Sequence, residues 1–190
     1  MTDSVIIDDL ARASAAMTDL LDAVGADQWT APTPCAEWDV RGVVDHLVGM
    51  NLVFAAMLAD APMPDRGADR LGDDPAAAWR QAVIALQEAA ERPGVLDRSQ
   101  SSPLGESTGR ERLRWRLADL LTHAWDLRQA TGITTELPAD LVAQALAFAE
   151  EQLPTQSRAG RFGEPHPIAD DAPVLDRLAA YTGRTVPWTP

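Results

Sequence analysis

The residue types that could do chemistry are few. Three histidines occur in 190 residues, His46 in VVDHLVGM, His123 in DLLTHAWDL and His166 in FGEPHPIAD, together with a single cysteine, Cys35. Around His123 the polar residues Arg112, Arg116, Asp119, His123 and Asp126 recur at spacings of 4, 3, 4 and 3, beside an aliphatic stripe of Leu113, Leu117, Leu120, Ala124 and Leu127. At helical spacing Asp119 and His123 stand one turn apart, about 5–6 Å between Cβ atoms, and can converge on one small ion. His46, three after Val43 and four before Met50, should point its imidazole to a bundle interior. Together they would offer an oxygen and two nitrogens and leave positions open for water or substrate. Three protein ligands with an open position is the arrangement of a catalytic zinc, and nickel, iron or manganese fit the same donors. A plainer reading fits the spacing too: an ordinary helix-surface pair at Asp119 and His123, a satisfied core histidine at His46, and a solvated polar stripe.

Other residues have supporting roles open to them. Asp126, three after His123, could orient an imidazole or bind a substrate hydroxyl, and Arg116, three before Asp119, could hold an anionic substrate or pair with Asp119. Asp45 adjoins His46 in sequence but should point elsewhere on the helix, and Trp125 reads as bundle packing. Cys35 lies just upstream of a helix start, where a thiolate is stabilised, yet reads as a semi-buried connector residue. His166, between two prolines, reads as a surface residue unless the tail folds over the metal and brings it in as a fourth ligand.

The elements that must position these residues are helices. Aliphatic residues recur at three- and four-residue spacing over long windows, and no alternating strand of five or more residues is evident, so the fold class is all-α. The first helix spans about 4–24, with Ile6, Leu10, Ala13, Met17, Leu20, Leu21 and Val24 on one side and Gly25 as its stop. After the connector WTAPTPCAEW, the second helix begins at Asp39 as N-cap and runs to about 59, with Val40, Val43, Val44, Leu47, Met50, Val53, Phe54 and Met57 as its buried face. Asp74-Pro75 launches a third helix to about 92. A fourth spans 110–131 and ends at Gly132, and a fifth runs from Pro138 to about 153. Two polar loops, DAPMPDRGADRLGDD and RSQSSPLGESTG, separate helices two, three and four. These four long helices make a four-helix bundle, in crossover or up-down-up-down order, with the fifth helix packed around it. Residues 1–153 form the bundle and 154–190 a tail packed on it, irregular to 172 and ending in a short helix that Asp171, Ala172 and Pro173 start and Gly183 stops.

Composition narrows the function classes. Twenty-nine acidic residues against 16 basic ones, all arginine, give a formal net charge of -13. Such a chain repels phosphate backbones and anionic lipid, which disfavours nucleic acid and membrane surfaces as partners. Without lysine there is no Schiff-base chemistry. One cysteine makes no internal disulfide and no CxxC cluster, as expected of a cytoplasmic protein, and the acidic N-terminus lacks the pattern of a signal peptide. No run approaches the roughly 18 apolar residues of a membrane span.

Two segments, TPCAEWDVRGVVDHLVGMN and LADLLTHAWDLRQATG, resemble the N-terminal domain of mycothiol-dependent maleylpyruvate isomerase and its actinobacterial relatives, within the DinB-like superfamily of metal-binding four-helix bundles. The tail RFGEPHPIADDAPVLDRLAAYTGRTVPW resembles the end of one metal-binding subgroup of those relatives. The resemblance implies a divalent metal held by His46, Asp119 and His123, and mycothiol as co-substrate. The isomerase carries glutamate where this chain has Asp119 and continues into a second domain with a basic catalytic residue, so the thiol chemistry carries over more readily than that one reaction. A metal lowers the pKa of a bound thiol or water and makes it a nucleophile, which implies a transferase or isomerase acting on a small electrophile by conjugation, reversible addition or displacement. The rival from another class is a non-catalytic metal-binding sensor or sequestering protein. Bundles of this kind often form homodimers through exposed helix faces.

Overall fold

A computed structural model describes residues 3–65, 67–102, 105–158 and 162–189. Among the described residues there are six α-helices: α1 (Asp3–Asp22), α2 (Val40–Ala59), α3 (Pro75–Ala90), α4 (Gly109–Thr131), α5 (Ala139–Gln152) and α6 (Val174–Tyr181). Their ends follow local chemistry. Asp39 caps α2 by accepting from the Gly42 amide, and Asp74 caps α3 by accepting from Ala77, with Pro75 in the first turn. Thr108 and Glu111 form a reciprocal capping box at the start of α4, and Gly132 closes it with φ 73°, a left-handed conformation that costs glycine little.

The second polar loop is not irregular as its sequence suggests. It folds into a short antiparallel hairpin, β1 (Ser99–Ser102) with β2 (Gly105–Thr108), whose exit leads straight into the α4 cap. Residues 103 and 104 of that loop and 159–161 of the tail lie outside the described residues.

The four long helices pack in the ring order α1, α3, α2, α4, so α1 and α2 occupy one diagonal and α3 and α4 the other. Direction follows from the core. Ile6, Leu58, Leu86 and Leu113 share one apolar cluster, while Leu20, Val40, Trp79 and Leu127 belong to another. The start of α1, the ends of α2 and α3 and the start of α4 therefore lie at one end, which makes an up-down-down-up bundle. Running α2 and α3 parallel as neighbours requires a long return, and residues 60–74 supply it. That loop is tied down along α2 by Arg70 to Asp45, at 2.8 Å, and by Arg41 to the Gly72 carbonyl, at 2.9 Å.

α5 packs on α4, and α6 covers both. The central position of α4 explains why its polar stripe is not a solvated face: Arg116, Asp126, His123 and Arg112 are all buried. On α2 the inner face includes Val48, Asn51, Ala56 and Leu58, whereas Met50, Val53, Phe54 and Met57, expected in the core, are only half-buried. For Met50 and Phe54 the physical reason is a cavity between α2 and α4, whose wall they line. By length and composition α2 is also the one helix among the described residues apolar enough to cross a membrane, which corrects the expectation that no such run exists. In the bundle that apolar surface packs on α3 and α4, and the helix carries the Asp45–Arg70 ion pair.

Candidate metal and thiol site

The cavity has a volume of about 800 Å³, and His46, Asp119 and His123 line it. His46 comes from α2, the other two from α4, one turn apart. Both Nε2 atoms approach the same carboxylate oxygen: His46 Nε2 lies 3.2 Å from Asp119 Oδ1 and His123 Nε2 lies 3.5 Å from it. The ring centroids of the two histidines are 4.8 Å apart. The three donor atoms all lie within 4.8 Å of one another, which fits a divalent ion with borderline nitrogen and hard oxygen donors.

The neighbours of these three residues hold them in place. Arg116, fully buried, donates to Asp119 Oδ2, to Asn51 Oδ1 at 2.7 Å and to the Leu47 carbonyl at 2.9 Å. Asp119 thus keeps one oxygen for Arg116 and turns the other to the histidines. Burial by itself would raise the Asp119 pKa, but hydrogen bonds from His123 and His46, with their charge, outweigh it and hold the carboxyl well below the usual range. Burial would lower His123, and its bonds to Asp119 and Asp126 outweigh that and raise it. Asp126 Oδ2 lies 2.8 Å from His123 Nδ1, so the Nε2 edge of the ring is the one left for the site. Asp126 is itself kept below the ordinary carboxylate range: burial acts upward, and hydrogen bonds from His123 and Arg184 prevail.

The connector between α1 and α2 forms part of the cavity wall. Its ends are pinned by the Val40 amide to the Ala31 carbonyl, at 3.1 Å, and by the Arg41 amide to Trp29, at 2.9 Å. Within it the Thr33 hydroxyl donates to the Trp38 carbonyl, at 2.7 Å, and accepts from the Cys35 amide, at 3.1 Å. Trp38 then stacks on His46 with ring centroids 4.7 Å apart and tilts over His123 at 5.8 Å. Gly42 permits this, since a Cβ there would stand 3.0 Å from Trp38 Cβ.

A second donor set, Cys35, His123 and Asp126, lies close enough for a metal by distance. Its chemistry is poorer. Asp126 already carries the Arg184 guanidinium, at 2.7 and 3.1 Å, and burial pushes the Cys35 thiol up to about 11, far from a thiolate at neutral pH. The set of His46, Asp119 and His123 is the better candidate.

Several residues singled out in the sequence sit elsewhere. Asp45 faces Arg70, and Trp125 is packed away with its Nε1 donating to Asp176 at 2.7 Å. His166 is exposed, bonds through its backbone amide to the Ala180 carbonyl, and does not line the cavity. Reasoning from sequence missed Arg184, the Trp38 stack and the approach of Cys35 to His123. Trp38 and Arg184 do fall within the stretches whose resemblance was noted, TPC-x-x-W and GRTVPW, but nothing in their local spacing points to the site.

The sequence profile of the mycothiol maleylpyruvate isomerase N-terminal domain matches residues 10–128, a span that includes all three candidate ligands. The uncharacterized proteins Rv0738 and MT0763, from two Mycobacterium tuberculosis strains, are each 37% identical over 177 residues, covering 92% of this chain and 95% of their own. No solved structure gives a significant match.

Proposed function

The chain belongs to the mycothiol maleylpyruvate isomerase N-terminal domain family, and from that premise we propose that it is a cytoplasmic, divalent-metal-dependent transferase or isomerase that uses mycothiol on a small electrophile. The observation that carries this reading is the convergence of His46, Asp119 and His123 on one wall of a cavity of about 800 Å³. These three residues would hold the ion, with zinc the best fit and nickel, iron or manganese accepted by the same donors. A divalent ion held there lowers the pKa of a thiol or water and makes it nucleophilic at neutral pH.

The protein's own residues do the rest. Arg116 fixes the orientation of Asp119, and Asp126 fixes that of His123. Met50, Phe54 and Trp115 give the cavity apolar walls that limit water around a nucleophile, while Glu106 and Ser107 of the hairpin supply polar groups for a hydroxyl-rich thiol. His166 is absent from the donor set, which favours an open site over a sphere closed by a fourth histidine.

Elemental analysis tests the reading. Protein purified without chelators and supplied with zinc is expected to hold stoichiometric metal, and His46→Ala and His123→Ala to lose most of it. Metal-loaded protein offered mycothiol and a panel of electrophiles is then expected to show thiol-dependent turnover. Native protein without metal would remove the central claim; metal without thiol binding or turnover would leave a sensor or sequestering role.

A further inference from the structure

Asp126 is fully buried, and both its oxygens are occupied. Oδ2 lies 2.8 Å from His123 Nδ1 and 2.7 Å from Arg184 Nη2, and Oδ1 lies 3.1 Å from Arg184 Nε. The guanidinium therefore grips the carboxylate at two points, a geometry that adds direction as well as attraction. Arg184 comes from 58 residues further along the chain, just past the end of α6.

Arg184 is itself firmly set. Its amide donates to the Ala179 carbonyl at 2.9 Å and its Nη1 to the Thr182 carbonyl at 3.1 Å. Thr182 is fully buried and returns its hydroxyl to the Leu178 carbonyl at 2.8 Å. Gly183, with φ 98°, crosses Gly163 so closely that a Cβ there would stand 2.4 Å from Gly163 Cα. Gly163 is tied in turn by Arg158, which donates to its carbonyl at 2.8 Å. The segment that carries Arg184 is thus held on two sides before it reaches Asp126.

We propose that Arg184 is a positioning residue for His123, acting through Asp126, so that the C-terminal segment sets the tautomer and pose of a side chain it does not touch. A carboxylate gripped by a guanidinium can only accept, and His123 Nδ1 must then donate. Asp119, itself held by Arg116, is an acceptor too, but its Oδ1 stands 3.5 Å from Nε2 against 2.8 Å for Asp126 at Nδ1, so a neutral ring keeps its proton on Nδ1 and presents its lone pair at Nε2. Without the guanidinium, Asp126 is free to turn, and the ring is no longer held to one tautomer or one plane. Partners of this kind behind a ligating histidine change metal affinity by about 10–100-fold. The tautomer half of the inference stands on geometry alone; the affinity half rests on the metal reading above.

The test has one arm for each half. Long-range proton–nitrogen spectra of the imidazoles are recorded on chelator-treated full-length protein through a rising pH series until the His123 nitrogen shifts report a neutral ring, with His123 assigned by His166→Asn and His123→Asn. Native protein is expected to show His123 protonated on Nδ1, and Arg184→Met to show a mixture of tautomers. Arg184→Lys, which keeps the charge but not the two-point grip, is expected to keep the fold and show the native pattern only in part; it carries the test if the methionine variant does not fold. The second arm measures zinc affinity by competition with a chromophoric chelator and the visible bands of the cobalt(II) form, with a loss of about 10–100-fold and altered bands expected for Arg184→Met. A merely structural tether would lower the melting temperature and leave the tautomer unchanged. Folded variants that keep the native Nδ1–H pattern, or native protein that lacks it, would overturn the inference. Native protein that shows the pattern but binds no metal would instead overturn the metal reading.

Discussion

His123 is the residue on which most of the site depends, and its charge state gives a test that needs no substrate. Its pKa in the fold is raised above the ordinary value of 6.5, because its bonds to Asp119 and Asp126 outweigh burial. The folded state therefore holds a proton that the unfolded chain releases. The associated stability is complete below about pH 6.5 and is lost as pH rises through the raised value. Asp119 and Asp126 have the opposite sign: depressed below 3.8, they stabilise the fold above that value and cease to do so as pH falls through their lowered ones. Metal-free protein should thus be most stable between the two windows. In urea titrations with a chelator present, the midpoint is expected to fall as pH rises above about 6.5 through the raised His123 value, and His123→Asn to flatten that alkaline limb. The identity of these residues was legible in the sequence, since histidines are scarce and the i,i+4 pair is local. Partners on the same helix were legible as well, Arg116 for Asp119 and Asp126 for His123, each three residues away; the distant ones were not, since Asn51 meets Arg116 across two helices and Trp38 reaches His46 only because the connector folds back.

Helix ends were legible because caps are local. Asp39, Asp74 and Gly132 act within one turn of themselves, and each is where its type and position place it. The hairpin β1–β2 was not, because SQSS and GEST lack the alternation that marks strands and carry a single β-branched residue, Thr108. Its end is held from outside by the Gly109 amide bonding to the Arg98 carbonyl and the Arg110 amide to the Leu96 carbonyl. Gly109 is also where α4 starts against the segment that follows α3. A Cβ at this position would meet the Val95 carbonyl oxygen at 2.7 Å, with Leu58 Cδ2 and Leu96 Cα at 3.0 Å. Two of these three neighbours are backbone and cannot swing aside. Gly109→Ala is expected to destabilise the protein by about 1–3 kcal/mol in chemical denaturation, through overpacking, although alanine is the better helix former. A neutral or stabilising result would show that the start of α4 can shift, and with it the register of Asp119 and His123.

At the scale of the whole molecule, the site belongs to no single segment. α2 supplies His46, α4 supplies Asp119 and His123, the connector supplies Trp38, and the segment after α6 supplies Arg184. An ion bound by both α2 and α4 would link helices that are far apart in sequence and would stabilise the folded state by mass action. Zinc at about 100 times its dissociation constant adds about 2.7 kcal/mol, which for a chain of this length raises Tm by roughly 5–10 °C. A thermal scan with zinc and then with excess chelator is expected to show that rise and its reversal, and His46→Ala to show neither. An unchanged Tm in native protein would argue that no ion bridges the two helices.

By itself the sequence determined the helical class and most helix boundaries, because these depend on periodicity and capping within a few residues, and it put forward His46, Asp119 and His123 as candidates because histidines are scarce and the resemblance points to them. The tertiary structure decided the rest. The up-down-down-up order follows from which ends share a core, and a long loop permits either order. Met50 and Phe54 went to a cavity wall instead of the core, because the spacing of apolar residues states which face turns inward but not whether a helix or an open space waits there. The pairing of Arg184 with Asp126 spans 58 residues, and no local pattern encodes a contact that forms only when a tail closes over a bundle.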